Sequence, residues 1–265
     1  MWLPQPGNVT LALQQLDGQI TNIATGFPWT NEINNTFYPA LYIETNTLNY
    51  DVTGAATGVF TFTNKAPFPD ISTIGTQENF VVQALFYLQL NAGSYHLAVR
   101  SDDGFALNAG ATPATASQVL GQFDGGRANT TPNDIFITAP TNGFYSMNLL
   151  YFQEGSGASL EFYSISNGVP ILINDPTNPN SLQAFAALMV PNPVTILNPA
   201  YSGTTTTFSF QTQASFTYYV EYKNTLADPS WTLLTTITGD GTTPIVTDNT
   251  ANGATRFYRV RAPAR

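Results

Sequence analysis

The stretch YHLAVRSDDGFALNAG, Tyr95 to Gly110, sets two adjacent carboxylates, Asp102 and Asp103, and a glycine, Gly104, between runs of alternating apolar residues. Two chemistries are open to it. As a turn, Asp-Gly between alternating strands is a strong hairpin signal, because Gly tolerates a left-handed backbone and Asp accepts local backbone hydrogen bonds. As a metal site, adjacent like charges repel unless something compensates them, and Ca²⁺, which takes roughly six to eight oxygen ligands, is a natural compensator. Further oxygen donors would have to come from other turns. Gln153 and Glu154 in YFQEGSGAS, Asp124 in GQFDGGRAN and Asn108 are the candidates.

Catalytic constellations are scarce. The chain has no cysteine and one histidine, so a thiolate nucleophile, a thiolate metal site and a multi-histidine zinc site are excluded. His96 alternates with Tyr95 and Leu97 in SYHLAV and reads as a structural strand residue, with nothing beside it to suggest a Ser-His-Asp triad. Glu154 and Glu161 are the carboxylates to watch for glycoside hydrolysis, since such pairs assemble in space rather than along the chain. Glu161, in SLEFYS, is expected to point outward between Leu160 and Phe162. The reading is that the protein is not an enzyme.

The elements that must position these residues are strands. Segments 58–64, 79–90, 94–99, 134–139, 144–152 and 158–165 alternate or run apolar and are separated by Gly, Asn, Pro and Thr clusters. That pattern predicts an all-β, antiparallel sandwich or barrel. Two stretches carry helical periodicity: SLQAFAALM at 181–189, with Ser181 as a cap, and VTLALQQL at 9–16, which reads equally well as a strand. A proline-rich connector, 169–199, leads to a segment of short strands with turns at Ala227-Asp228-Pro229, Gly239-Asp240-Gly241 and Asn252-Gly253, the look of a second, small β-sandwich.

Only 9% of residues are charged, and Thr, Asn, Ser and Gln fill the polar positions instead, which points to an extracellular or cell-surface protein. The net charge of −9 is uneven. Up to Asp175 there are 13 acidic residues against Lys65, Arg100 and Arg127; beyond it come 4 acidic and 5 basic. Acidic surface repels phosphate, so nucleic acid is excluded as a partner of the first part. The basic cluster Arg256, Arg259, Arg261 and Arg265 reads as a solvated strand face. No apolar run is long enough to span a membrane, and MWLPQPGNVT lacks the order of a secretory signal.

GSYHLAVRSDDGFAL, then VLGQFDGGR, then GFYSMNLLYFQEGSGASLEFYS, in that order, resembles the protective-antigen-type lectin-like β-sandwich of bacterial toxins, secreted glycosidases and yeast flocculins and adhesins. The resemblance is strong from Glu78 to Ile165 and thinner over 56–77. It implies a jelly-roll-like lectin domain with a site at the loop tips. There Asp102 and Asp103, joined by a cis peptide, would hold Ca²⁺, and the ion would bind vicinal hydroxyls of a terminal sugar. Glu154 would join them as a metal ligand, and Gln153 and Arg127 would line the ligand. Where the adhesins supply an Asn from a second loop, QEGSG offers Gln153 and Glu154. The C-terminal segment, with FSFQTQASFTYYVEYKNTLADPSWTLL and a closing RFYRVR, resembles a fibronectin type III-like module, a spacer or attachment unit in secreted bacterial proteins. Trp231 is read as a core residue of that sandwich.

The expected organisation is a lectin-like sandwich with an N-terminal extension over 1–190, a linker over 191–199 and a fibronectin-like sandwich over 200–265. The expected function is a secreted, non-catalytic module for Ca²⁺-dependent carbohydrate binding or adhesion, whose partners are terminal sugars or a cell-surface polysaccharide. The alternative is a subunit of an extracellular fibre or surface layer that assembles with copies of itself by strand addition, with VTLALQQL as the donated strand. A lesser alternative is an accessory part of a polysaccharide-active enzyme.

Overall fold

The computed structural model describes residues 6–21, 26–28, 44, 46–52, 60–68, 78–189, 191–214, 216–251 and 255–263, and it is nearly all antiparallel β. It divides into two compact units, Met1–Ala187 and Leu188–Arg265. The first unit opens with a helix, α1 (Val9–Leu16). Ten strands follow: β1 (Asn49–Asp51), β2 (Phe80–Leu90), β3 (Gly93–Asp102), β4 (Gly104–Gly110), β5 (Gln118–Phe123), β6 (Asn133–Ala139), β7 (Gly143–Gln153), β8 (Ser159–Ser166), β9 (Val169–Leu172) and β10 (Ala184–Phe185).

They form two sheets. One runs β1-β8-β3-β6 with β9 beside β8; the other runs β10-β2-β7-β4-β5. Successive strand side chains point to opposite faces, and the core follows that alternation. Leu97 and Val99, Leu160 and Phe162 meet Phe86, Leu88, Phe105, Leu107, Leu149 and Tyr151 between the layers. Phe68 closes this core by stacking on Tyr151 at 5.2 Å between ring centroids.

The outer faces are covered too along β7 and β8, which is why these strands read as nearly continuous apolar runs. On the second sheet, Ala106, Leu150 and Phe152 lie under Ala12 of α1. On the first sheet, Ala98 and Tyr163 lie under Phe62, which meets the Tyr163 ring edge-on. Glu161 shares that outer face. The expectation that it alternates away from Leu160 and Phe162 holds, but exposure does not follow: it is fully buried beneath residues 60–66. Its carboxylate accepts the backbone N–H groups of Thr61 (3.1 Å) and Phe62 (3.0 Å) and pairs with Lys65 and Arg100.

Three elements differ from their sequence expectation. Residues 60–64 form no strand, and residues 58–59 lie outside the described residues. The segment 181–189 is not helical: Ser181 donates to the Leu172 carbonyl and accepts from the Asp175 N–H, while Asn174 exchanges two hydrogen bonds with the Ala184 backbone. Those bonds hold Ala184–Phe185 extended, as an edge strand on β2. The ambiguous stretch 9–16 is a helix, capped by the Asn8 side chain on the Leu11 N–H at 2.8 Å. With its small buried face spent on its own sheet, it is not the extended strand that the fibre reading requires.

The second unit has two three-stranded sheets. β11 (Leu197–Ser202), β12 (Thr205–Ser209) and β15 (Ile245–Asp248) make one; β14 (Thr232–Thr238), β13 (Thr217–Lys223) and β16 (Phe257–Arg261) make the other. Phe208, Phe210, Phe216, Tyr218, Val220 and Val246 fill the space between them. Trp231 stands outside that core, a correction to its expected place. It is half-buried, with Arg259 at 4.4 Å and Lys223 at 5.5 Å from its ring, so its partners are cations over the ring rather than the apolar side chains of the interior. Three members of the basic cluster are paired rather than simply solvated: Arg259 and Arg261 hold Glu221, and Arg256 holds the buried Asp248 at 2.7 Å, while Arg265 and the expected turn at Asn252-Gly253 lie outside the described residues.

Ala12→Asp puts an unpaired carboxylate against Leu150 and Phe152, and is expected to destabilise the protein by about 2–4 kcal/mol. A urea midpoint equal to that of the wild type would mean that α1 is not seated on the sheet.

Candidate functional site

Asp102 is the last residue of β3 and Gly104 the first of β4, but these strands belong to different sheets. Asp102 pairs with Ser159 in one layer and Gly104 with Phe152 in the other. The expected hairpin at Ser101-Asp102-Asp103-Gly104 is therefore a crossing between layers, made in a single residue. Gly104 is required by close approach, since a Cβ there would stand 2.2 Å from Phe152 Cζ and 2.7 Å from the Phe123 carbonyl. The Asp102–Asp103 peptide is cis.

The two carboxylates have different surroundings. Asp103 is buried and each of its oxygens accepts a backbone N–H: Oδ1 from Arg127 at 2.9 Å, Oδ2 from Glu154 at 2.8 Å. It therefore ties the loop after β5 to the loop after β7. Its own carbonyl accepts from the Ser101 hydroxyl at 2.8 Å. Asp102 is half-buried, and the Asn129 backbone N–H favours its ionised form without outweighing burial. Its carbonyl accepts from the buried Tyr151 hydroxyl.

Burial and then the neighbouring Asp103 charge push the Asp102 carboxyl from its ordinary 3.8 up to about 6. The same two causes, in the same order, raise Glu154. The positive charge nearest to hand does not cancel this. The Arg127 guanidinium donates to the Ser101 carbonyl (3.1 Å), the Ser101 hydroxyl (2.9 Å) and Asn133 Oδ1 (2.6 Å), and lies over the Phe123 ring at 4.2 Å.

Three expected site residues thus take other places. Gln153 is fully buried; its amide donates to the Gly155 and Gly157 carbonyls at 2.9 and 2.7 Å and its oxygen lies 3.0 Å from the Tyr151 hydroxyl. It braces the loop from inside and presents nothing to a ligand. Arg127 is committed to the β3 end, as described. Glu154 does not join the two aspartates in a metal-holding group, and among the described residues no three acidic, His or Cys side chains form one. Its carboxylate lies instead between two glycines, where a Cβ at Gly7 would stand 2.7 Å and a Cβ at Gly126 3.3 Å from Oε1. Asp124 is used elsewhere, accepting the Val9 N–H at the start of α1 at 2.6 Å. His96 sits in β3, six residues before Asp102, with Nε2 2.8 Å from Asp134 and its ring stacked on Phe136.

One donor was missed. Asn129 is buried, its amide nitrogen donates to the Ser159 hydroxyl at 2.8 Å, and its amide oxygen has no hydrogen-bond partner among the described residues. Ser159 is the cross-strand partner of Asp102, so this oxygen belongs to the same corner. Two carboxylates and a carboxamide oxygen form an oxygen-only donor set, which suits a hard divalent cation such as Ca²⁺. The signal in the sequence was an Asn two residues beyond the Arg of FDGGR.

No protein-family model and no curated protein matches the chain. Among solved structures it is similar to an anti-sigma factor domain-containing protein, at 13% identity and a TM-score of 0.34, over 76% of this chain and 75% of that one. It is also similar to a GH2 beta-galacturonidase from Eisenbergiella tayi, solved bound to glycerol, at 9% identity and a TM-score of 0.24, over 83% of this chain and 40% of that one. Similarity at this level leaves fold and function to be argued from the chain itself. The class its strands define is an all-β antiparallel sandwich, and no described helix is long and apolar enough to cross a membrane.

The folded protein holds the Asp102 proton more tightly than the unfolded chain, so ionisation works against folding. The contribution is complete below about pH 4 and is lost as pH rises through about 6. In chelator, Asp102→Asn is expected to melt at a higher temperature than wild type at pH 7 and to lose that advantage below pH 4. Equal melting temperatures at pH 7 would contradict the unmet charge.

Proposed function

We propose that the protein is a secreted or cell-surface, non-catalytic module of the protective-antigen-type lectin-like kind, which binds Ca²⁺ and a terminal sugar at the β3–β4 crossing. The observation that carries this reading is the pairing of an under-compensated carboxylate, Asp102, with the unpartnered buried amide oxygen of Asn129. Asp102, Asp103 and Asn129 would hold the ion. Bound there, it offers remaining coordination positions to vicinal hydroxyls of a sugar. The chain's own part is preorganisation. Asp103 clasps two loops through their N–H groups, Gln153 braces one of them from within, and Arg127 fixes the end of β3.

Calorimetric titration with Ca²⁺ tests it. Heat of binding is expected for wild type and is lost in Asp102→Ala; Asn129→Ala is expected to weaken binding. Ca²⁺ at about a hundredfold its Kd is expected to add about 2.7 kcal/mol of stability. Binding to immobilised terminal sugars is expected in Ca²⁺ and not in chelator. Heat unchanged by Asp102→Ala would remove the metal site, and sugar binding indifferent to chelator would remove the coupling.

A further inference from the structure

Beneath residues 60–66, the outer face of the first sheet buries groups that the proposed binding function does not use. Glu161 is 0%, Asn49 1% and Asp51 4% exposed, and the Lys65 side chain is 4% exposed. Asn49 and Glu161 stand directly opposite one another across β1 and β8, so their side chains share this face. Lys65 is bracketed onto Asn49 by its neighbours. The Asn64 carbonyl accepts from Asn49 Nδ2 at 2.6 Å, and the Ala66 N–H donates to the Asn49 carbonyl at 3.0 Å. Lys65 Nζ lies 3.5 Å from Glu161 Oε1 and over the Phe60 ring. The Asn49 amide oxygen is buried and has no hydrogen-bond partner among the described residues.

A buried amine beside a buried carboxylate and a carboxamide whose oxygen is unpartnered is a reactive set. Burial, partly opposed by Glu161, lowers the Lys65 pKa, which eases transfer of its proton to that carboxylate and release of the nucleophilic amine. We propose that Lys65 Nζ and Asn49 Cγ join in an intramolecular amide bond, with Glu161 as the proton carrier, cross-linking residues 60–66 to β1.

The step balances without an added reagent. Lys65 passes a proton to the Glu161 carboxylate, and the freed lone pair attacks Asn49 Cγ while Glu161 delivers that proton to Oδ1. Glu161 then carries a proton from the attacking nitrogen to Nδ2. The Cγ–Nδ2 bond breaks, the Oδ1 proton leaves with the departing ammonia as ammonium, and Glu161 is left ionised. One lysine ammonium and one carboxamide become one secondary amide and one ammonium ion. Nothing is oxidised or reduced. The Asn64 carbonyl, bonded to Nδ2, orients the leaving group. The product removes a buried cation and leaves Glu161 to Arg100, 3.7 Å away.

Intact mass measurement of the full, denatured chain tests this. The expected mass is below that of the sequence by one ammonia, and trypsin is expected to release residues 1–100 as a single peptide, internally cross-linked between positions 49 and 65, because an acylated Lys65 is no longer cut. Glu161→Gln is expected to restore the sequence mass. A wild-type mass equal to the sequence, with an ordinary cleavage after Lys65, overturns the proposal whether or not the variant folds. A deficit of one water with the cross-link at Asp51 overturns Asn49 as the acceptor, and a cross-link persisting in Glu161→Gln overturns the role of Glu161.

Discussion

The Asp103 carboxylate accepts a backbone N–H from each of two loops, and the corner of the sandwich is arranged around that double acceptance. One residue separates a strand of one sheet from a strand of the other, so nothing at the crossing can slide without breaking these bonds. The clasp also fixes what lies beside it. Asp102 follows from β3 with its carboxylate half-buried beside a charge that cannot move away, and burial first, then that charge, raises its proton affinity. Hydrogen bonds to an ionised acceptor are the stronger kind, and here they serve to hold two connecting segments and one ionisable neighbour in register.

A second constraint is that each sheet is covered on part of its outer face. An antiparallel sheet commonly leaves one face to water, but α1 covers part of one outer face and residues 60–66 part of the other. Covering the first sheet traps Glu161, Lys65 and Arg100 together away from solvent. Removing Glu161 leaves two cations inside without the carboxylate they share, a larger loss than the pair's own attraction.

The strands were legible because alternation is strong in FVVQALFYLQL, YHLAV and SLEFYS, and the all-β class followed from it. Which strands pair was not legible: alternation on both sides of Asp102-Asp103-Gly104 fits a hairpin as well as a crossing, and only the partners Ser159 and Phe152 separate the two. Periodicity also failed at the margins. VTLALQQL fits two periods, and its choice of helix depends on the tertiary cover it provides. SLQAFAALM has helical spacing, but Asn174 holds Ala184 extended against the edge of β2. At the candidate site, residue type pointed to oxygen chemistry without showing direction. Gln153 turns inward, and Asn129, which residue type alone does not set apart from the many other asparagines, carries an idle oxygen.

The first unit has three side-chain cations, and each is spent within the fold: Lys65 and Arg100 on Glu161, Arg127 on Ser101 and Asn133. No lysine or arginine is left to stud the exterior of that unit. Its outward field is thus carried by carboxylates alone, and mobile counterions must supply the neutralisation that most proteins build from their own basic residues. Close approach to another anionic polymer would depend on multivalent cations shared between the two surfaces, and would loosen wherever monovalent salt replaces them.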